Sequence, residues 1–261
     1  NVSRVLQGIA GRDVRKALEM FVSVLNSGHL TSEAITSNAK GAGAVAIQEY
    51  TVLRILMRTE YRFFSENSGF VSNLFHFDEA WDRPNNFIMP DIIFWLYENR
   101  KLRGQIGLEG YFTVQTIADE LQLRGYTSDD VVDACSWLLR QELVEADHMN
   151  RQGVGLDDSI KVTASGFIHL RVLCERTEYL YGVLSVTPMF DTTTAKLIAD
   201  VVARENQRDH VPLQQMVQSI QHFLSYLKKE YLRLSRAYPA FGGERTAADY
   251  VIKQVEGTLA H

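Results

Sequence analysis

Two arginines stand at the beginning of an amphipathic helical pattern close to the start of the chain. Arg12 and Arg15 follow Gly11, and apolar residues then recur from Val14 onward at the spacing of one helix face. The N-terminus of a helix carries unpaired N–H groups and the positive end of the helix dipole, so it favours an anion. A guanidinium adds two parallel donors that fit phosphate oxygens. These residue types at this place indicate contact with a phosphate group.

The sequence lacks the loop that a nucleotide hydrolase needs around the phosphates. Nowhere does Gly-x-x-x-x-Gly-Lys-Ser/Thr occur, and no lysine follows the glycine pairs Gly41/Gly43 and Gly242/Gly243. We therefore expect that the chain alone does not hydrolyse nucleoside triphosphates. It begins at Asn1 with no initiator Met, shortly before the two arginines, which leads us to expect a piece of a larger protein.

The run from Gly11 to Phe21 resembles the sensor-2 element of AAA+ and STAND-type P-loop NTPases. In those proteins a Gly-x-x-Arg-x-Ala-Leu-like helix of the lid reaches the nucleotide of the neighbouring core. Arg15 is the best match to the sensor arginine, and Arg12 is a second candidate. The resemblance implies an ATPase as the parent protein, with ATP and Mg bound mainly by a preceding NTPase core outside this chain. The ordinary alternative is a surface arginine paired with Glu19 one turn further on.

The composition is that of a folded chain without a membrane span. Its 261 residues are 46% hydrophobic, enough for one large core or two to three small ones. Two cysteines, Cys135 and Cys174, favour a reducing compartment, and they show no Cys-x-x-Cys spacing typical of a zinc site. No apolar run nears the roughly 20 residues of a bilayer span, and the first residues lack the layout of a signal peptide. We expect a cytoplasmic protein with no membrane partner and no metal site.

Residues 1–78 are expected to form the helical remnant of such a lid and an aromatic linker. One stripe of the helical pattern that contains Arg15 is predicted to be buried, namely Val14, Leu18, Phe21, Val22 and Leu25. Residues 73–77, with the sequence Asn-Leu-Phe-His-Phe, are too apolar for a free linker. They are predicted to pack the lid against the next domain, and the alternative is a docking surface for another subunit.

Residues 79–176 follow the element order of a winged helix-turn-helix domain. The predicted features are a helix near Pro90, helices capped by Thr113 and Ser128, strands at 143–146 and 159–163, and a helix after the Thr-x-x-Gly turn of Thr163 to Gly166. A lid followed by a winged helix resembles the domain order of STAND proteins and archaeal origin-recognition initiators.

A winged helix invites a role in DNA binding, but this part of the chain is acidic. It holds 10 basic against 16 acidic residues. The exposed face of the third helix is predicted to consist of Ser128, Asp129, Asp130, Asp133, Ser136 and Arg140. Carboxylates that face phosphates oppose binding by about 1 kcal/mol each in water, so duplex readout is not favoured. The residues here that would contact nucleic acid are Arg124, Ser128, Arg140, Arg151 and Lys161.

Residues 177–261 are predicted to form a C-terminal helical bundle. Helical patterns run from Ala195 to Arg204, from Pro212 through Leu234 and from Ala247 to Leu259. Short connections between them favour antiparallel packing. On the long central pattern, a basic stripe is either a solvated helix face or a set of phosphate contacts, and it consists of Lys229, Arg233 and Arg236.

Together these patterns predict a mainly α protein with a helical lid remnant, a winged helix that carries a small β-hairpin, and a helical bundle. We expect it to be the C-terminal regulatory region of a P-loop ATPase. Its lid arginine would sense the nucleotide, and its winged helix would contact the core, another subunit of a homo-oligomer or a protein partner. The alternative from a different class is a DNA-binding winged-helix regulator. A purely structural module of a prokaryotic defence or signalling complex fits the same patterns.

Overall fold

The computed structural model describes residues 2–11, 13–27, 49–57, 70–104, 107–148, 153–205, 213–242, 247 and 251–253. The chain is mainly helical with one small antiparallel sheet, which confirms the predicted fold class. It divides into two compact units, Asn1–Ser72 and Asn73–His261. The three-way division at 78 and 176 stays a prediction. Within the described residues, no helix combines the length and the apolar character that a membrane crossing demands.

The first unit contains three described helices, α1 (Val2–Ala10), α2 (Val14–Asn26) and α3 (Glu49–Met57). A turn at Gly11, with φ of 60°, separates α1 from α2, and this left-handed backbone favours glycine. Asp13 caps α2, because its carboxylate accepts a hydrogen bond of 3.0 Å from the backbone N–H of Lys16. This cap fixes the start of α2 at Val14, so that Arg15 lies in the first turn of the helix.

The stripe of α2 that was predicted to be buried is exposed, so that prediction is wrong. The exposed fractions run from 37% at Leu25 to 73% at Val14, with Leu18, Phe21 and Val22 between them. Instead, α2 is buried through Met20 and Val24, which lie on a different face of the helix. The helix is apolar on two faces, and periodicity alone selects the wider face rather than the one that packs.

The second unit begins with the elements predicted for a winged helix. In chain order they are α4 (Ile88–Asn99), β1 (Phe112–Thr113), α5 (Val114–Gln122), α6 (Ser128–Arg140), β2 (Val144–Ala146), β3 (Ser159–Val162) and α7 (Ala164–Arg171). The three strands pair antiparallel in the order β1-β3-β2. Phe112 faces Ile160 across one ladder, and Val144 faces Val162 across the other. The helices, the paired strands and the loop between β2 and β3 have the topology of a winged helix-turn-helix.

Threonines cap three of the four helices of this domain, whereas α4 begins after Phe87 without a side-chain cap. Thr113 caps α5 as predicted, whereas α6 is capped by Thr127 rather than by Ser128. Thr163 caps α7 by accepting from the N–H of Gly166 at 3.1 Å, and its hydroxyl also donates to the carbonyl oxygen of Leu143 at 3.0 Å. A Cβ at Gly166 would collide with that same carbonyl oxygen, so only glycine lets α7 approach β2 so closely.

The core of the winged helix is apolar and lies between the helices and one face of the sheet. Its fully buried members include Ile92, Leu96, Val114, Ile117, Leu121, Val131, Cys135, Leu138, Ile160 and Leu170. Burial raises the pKa of the Cys135 thiol, so this cysteine behaves as a small apolar side chain.

Helices follow the winged helix in the same unit. They are a short 3₁₀ helix (Leu173–Glu175), α8 (Thr177–Leu184), α9 (Thr192–Glu205), α10 (Leu213–Ala237) and a second 3₁₀ helix (Pro239–Gly242). Asp191 caps α9 through the N–H groups of Thr193 and Thr194. Of the final helix predicted from Ala247 to Leu259, Ala247 and residues 251–253 are described and are helical, and the remainder lies outside the described residues.

Residues 73–77 belong to the core of the second unit. Phe75 meets the ring of Phe223 on α10 edge-on at 5.6 Å, and Phe77 stacks on Phe190 at 4.8 Å. The N–H of Leu74 donates to the hydroxyl of Tyr179 on α8 at 3.0 Å. The segment therefore packs on the C-terminal helices of its own unit.

Candidate functional site

Arg15 lies in the first turn of α2 with an exposed side chain. The side chain is 89% exposed, and its Nε donates to Oε1 of Glu19 at 3.0 Å. This is the surface pair that the sequence offered as the ordinary alternative, and an exposed pair of this kind contributes roughly 0.2–1 kcal/mol. The pair leaves the guanidinium at the surface, where a molecule outside this chain can reach it.

Arg15 borders the exposed apolar stripe of α2. Leu18 and Val22 follow it at i+3 and i+7, so they lie next to it along the helix surface. Five large apolar residues on one exposed helix face are more than the scattered apolar side chains of an ordinary surface. The second predicted sensor residue, Arg12, lies outside the described residues.

Two of the polar residues predicted to be exposed on α6 are buried, which corrects the expected surface of this helix. Asp130 accepts hydrogen bonds from the backbone N–H groups of Asp82 at 2.9 Å and Arg83 at 3.0 Å. Ser136 accepts from the N–H of Val154 in the loop after β2, at 3.0 Å. Of the predicted face, Ser128, Asp129, Asp133 and Arg140 are exposed.

The segment 76–83 lies against α6 on the side of Asp130. The ring of His76 stacks on the indole of Trp137, with centroids 5.7 Å apart and planes at 16°. A recognition helix must enter the major groove with its outer face bare. Here α6 is flanked by segment 76–83 on one side and by the loop after β2 on the other. The sequence signal that this side of α6 is covered was Trp137, because a large aromatic residue on a helix is usually buried.

Arg124 was predicted as a nucleic-acid contact, and the structure corrects this because its charge is used inside the fold. Its Nη1 lies 3.1 Å from Oδ1 of Asp91, and the two side chains are 16% and 0% exposed. Asp91 also accepts from the hydroxyl of Tyr126 at 2.8 Å and the N–H of Ala247 at 3.0 Å. Burial raises the pKa of Asp91, and Arg124 opposes that shift. Arg124 is therefore a structural partner of Asp91.

Lys161 on β3 is held by its neighbours across the sheet. Its Nζ lies 2.7 Å from Oε1 of Glu145 and 4.4 Å from the centroid of the Tyr111 ring. Burial lowers the pKa of Lys161, but hydrogen bonds to Glu145 and Tyr111 outweigh it, so the net shift is upward. The lysine is a poor candidate for phosphate contact, because its charge already has an acidic partner. Arg151 lies outside the described residues.

The basic stripe of α10 is partly neutralised. Lys229 lies 3.6 Å from Asp191, and Arg233 lies 2.8 Å from Glu230 in the preceding turn. Arg236 is exposed in the last turn of the helix. Two of the three predicted phosphate contacts thus carry a carboxylate partner, which favours the solvated-face interpretation.

Beside α6, segment 76–81 leaves a cleft of about 230 Å³. Its lining includes His76, Asp78, Trp81, Asp133, Trp137 and Arg140. Burial lowers the pKa of His76 and Asp78 opposes that shift, so the imidazole is neutral at pH 7. Burial raises the pKa of Asp133, the carboxylates of Asp130 and Asp129 add to the effect, and the guanidinium of Arg140 opposes it. With two tryptophans, and with two carboxylates against one guanidinium in its lining, the cleft is aromatic and negatively charged.

Comparison with known protein families, curated proteins and solved structures finds no match for this chain. In the ranges that the structure describes, no three His, Cys, Asp or Glu residues are grouped so that they could hold a metal ion.

Proposed function

We propose that this chain is the C-terminal regulatory and interaction region of a P-loop ATPase. Helix α2 belongs to a lid that docks on a preceding nucleotide-binding core, where Arg15 reaches the phosphates of ATP. The winged helix then makes protein contacts with the core, another subunit or a protein partner. The bound nucleotide would shift the equilibrium between a docked and an undocked lid, and the contacts of the winged helix would change with the position of the lid.

The observation that carries the proposal is the exposed apolar stripe of α2 with Arg15 at its border. Leu18 and Phe21 are at least half exposed although they sit in a well-capped helix. Covering such a stripe favours association by about 25 cal/mol for each Å² of apolar surface removed from water. A core domain seated on α2 would cover the stripe and would meet the guanidinium of Arg15 at the same time.

A protein partner suits the winged helix better than DNA. The outer face of α6 shows Asp129 and Asp133, and segment 76–83 lies along it. A protein surface can complement carboxylates, whereas a phosphate lattice repels them.

Arg15→Ala is expected to lower ATP turnover of the full-length protein at least about tenfold, which corresponds to a loss of ~1.4 kcal/mol of transition-state stabilisation. The measurement is steady-state phosphate release at saturating ATP and Mg²⁺. The matched control is Glu19→Ala, which breaks the same surface pair but leaves the guanidinium in place. If the pair mattered only for the helix, both variants would behave alike.

Unchanged turnover in Arg15→Ala would reject the nucleotide role. The coding sequence upstream of Asn1 provides an independent check, because a P-loop should lie about 200 residues or more before the lid if a core domain precedes it. A full-length protein without that loop would remove the nucleotide part of the proposal.

The rival function, DNA binding through α6, is tested by a titration against salt. We expect this chain to bind a 20-base-pair duplex no more tightly than about 10⁻⁴ M even at 50 mM salt, because non-specific DNA binding reaches about 10⁻⁴–10⁻⁶ M already at physiological salt. Fluorescence anisotropy of a labelled duplex measures this directly. Tighter binding that weakens steeply toward 200 mM salt and is lost in Arg140→Ala would favour the rival.

A further inference from the structure

The cleft beside α6 is too small for a nucleotide and large enough for one side chain. Its volume is about 230 Å³. Sites for small molecules usually occupy about 300–1,000 Å³. A single long side chain that enters from a partner protein matches the size better.

Both walls of the cleft are fixed in place. On the side of segment 76–83, the backbone is tied to α6 by the two hydrogen bonds to the buried carboxylate of Asp130. His76 stacks on Trp137, and Oδ1 of Asp78 accepts from the N–H of Ala80 at 2.9 Å. A preformed cleft loses little conformational entropy when a ligand enters, which favours binding.

The charge of the cleft favours a cation. The lining holds two carboxylates, those of Asp78 and Asp133, and one guanidinium, that of Arg140. Because His76 is neutral, the lining carries one net negative charge. Glu79, on the same segment, and Asp129, in the first turn of α6, are exposed and add to the negative surface near the cleft. This negative charge would repel an anionic ligand.

We propose that this cleft binds the side chain of an arginine or lysine carried by a basic segment of a partner protein. The indoles of Trp81 and Trp137 line it, and aromatic rings attract guanidinium and ammonium groups. Carboxylates on the same cleft supply charge-assisted acceptors for the N–H groups of the cation. The combination of aromatic walls and carboxylates selects a cationic side chain over an apolar one.

This inference deepens the protein-contact part of the proposed function by naming the chemistry of the partner. It requires nothing of Arg15 or of ATP. The two ideas therefore fail separately, since a chain whose Arg15→Ala variant keeps full ATP turnover can still bind a cation beside α6.

The test uses the whole chain labelled with ¹⁵N and observes the indole N–H signals of its three tryptophans. The probes are acetylated, amidated tri-arginine, tri-lysine and tri-glutamate peptides. With tri-arginine, the signals of Trp81 and Trp137 shift in a saturable way, and Trp95, which packs edge-on against Phe112, stays unchanged. Tri-lysine gives the same pattern if charge dominates, and a weaker one if the planar guanidinium is preferred. Tri-glutamate gives no shift.

Asp133→Asn is expected to weaken tri-arginine binding roughly fivefold, because it removes one exposed carboxylate from the cleft. Glu120→Gln is the matched control, since it removes an exposed carboxylate from α5 that does not line the cleft. The inference is overturned if Trp81 and Trp137 do not shift up to about 10 mM tri-arginine. It is equally overturned if tri-glutamate shifts them as much, or if Asp133→Asn and Glu120→Gln bind tri-arginine alike.

Discussion

Replacing Asp91 by alanine is expected to lower the free energy of unfolding by about 3–5 kcal/mol, because it leaves the guanidinium of Arg124 buried without a carboxylate. The side chain of Asp91 is fully buried and has three partners, namely Arg124, the hydroxyl of Tyr126 and the N–H of Ala247. Chemical denaturation followed by far-ultraviolet circular dichroism measures the change. A loss of this size is a large part of the stability of an ordinary domain.

Glu98→Ala is the control for Asp91→Ala, since it removes an exposed carboxylate from the same helix α4. Surface changes of this kind stay within about 0.5 kcal/mol. Adding Arg124→Met to Asp91→Ala should recover part of the loss, because it removes the unpaired charge. A loss below about 1 kcal/mol in Asp91→Ala would contradict the assigned role of the buried pair.

Asn86→Ala is expected to destabilise the second unit by about 3–6 kcal/mol, since it deprives three buried groups of a partner at roughly 1–3 kcal/mol each, less than fully additive. The amide nitrogen of Asn86 donates to the carbonyl oxygens of Phe75 at 2.7 Å and Pro188 at 3.0 Å. Its amide oxygen accepts from the hydroxyl of Tyr226 at 2.8 Å. One side chain thus joins segment 73–77, the loop before α9 and helix α10.

The matched control for Asn86→Ala is Asn99→Ala, because Asn99 donates only to the carbonyl oxygen of Trp95 in its own helix. The difference in the free energy of unfolding between the two variants separates the general effect of losing an asparagine from the effect of losing the contacts with Phe75, Pro188 and Tyr226. A double-mutant cycle with Tyr226→Phe should give a coupling energy of at least about 0.5 kcal/mol. Additive effects would show that Asn86 and Tyr226 do not act together.

The local parts of this fold could be predicted from the sequence. Caps such as Thr113 and Thr163 act within three residues, so their residue types reveal them. The order of helices and strands from 88 to 171 follows from periodicity in the same way. Each of these features depends on interactions between neighbours along the chain.

Features that depend on distant contacts could not be predicted. Asp130 looked like an acid that complements the dipole of α6, and it is buried because backbone N–H groups 47 and 48 residues earlier meet it. Arg124 looked like a surface cation, but it lies in the turn before α6 and its partner Asp91 belongs to α4. For α2, the sequence offers two apolar faces and no means to choose between them.

Only the part of the candidate cleft that belongs to α6 could be predicted from the sequence. Asp133 and Arg140 could be singled out because they follow the spacing of one helix face on α6. Nothing in the local pattern indicates that His76 and Trp81 would lie beside them, because that neighbourhood depends on how segment 76–83 folds back. Periodicity describes one segment at a time, so it does not predict a site that is built from two segments far apart in the sequence.

The buried polar contacts of Asn86 and Asp91 connect separate elements of the second unit. Asn86, just before α4, is joined to Tyr226 on α10, and Asp91 on α4 is joined to Ala247. The ring of Tyr126 lies 6.4 Å from that of Phe241 in the same region. Breaking these hydrogen bonds would expose polar groups on α4 and on α10 at the same time. The winged helix and the C-terminal helices are therefore expected to unfold together, as one cooperative unit.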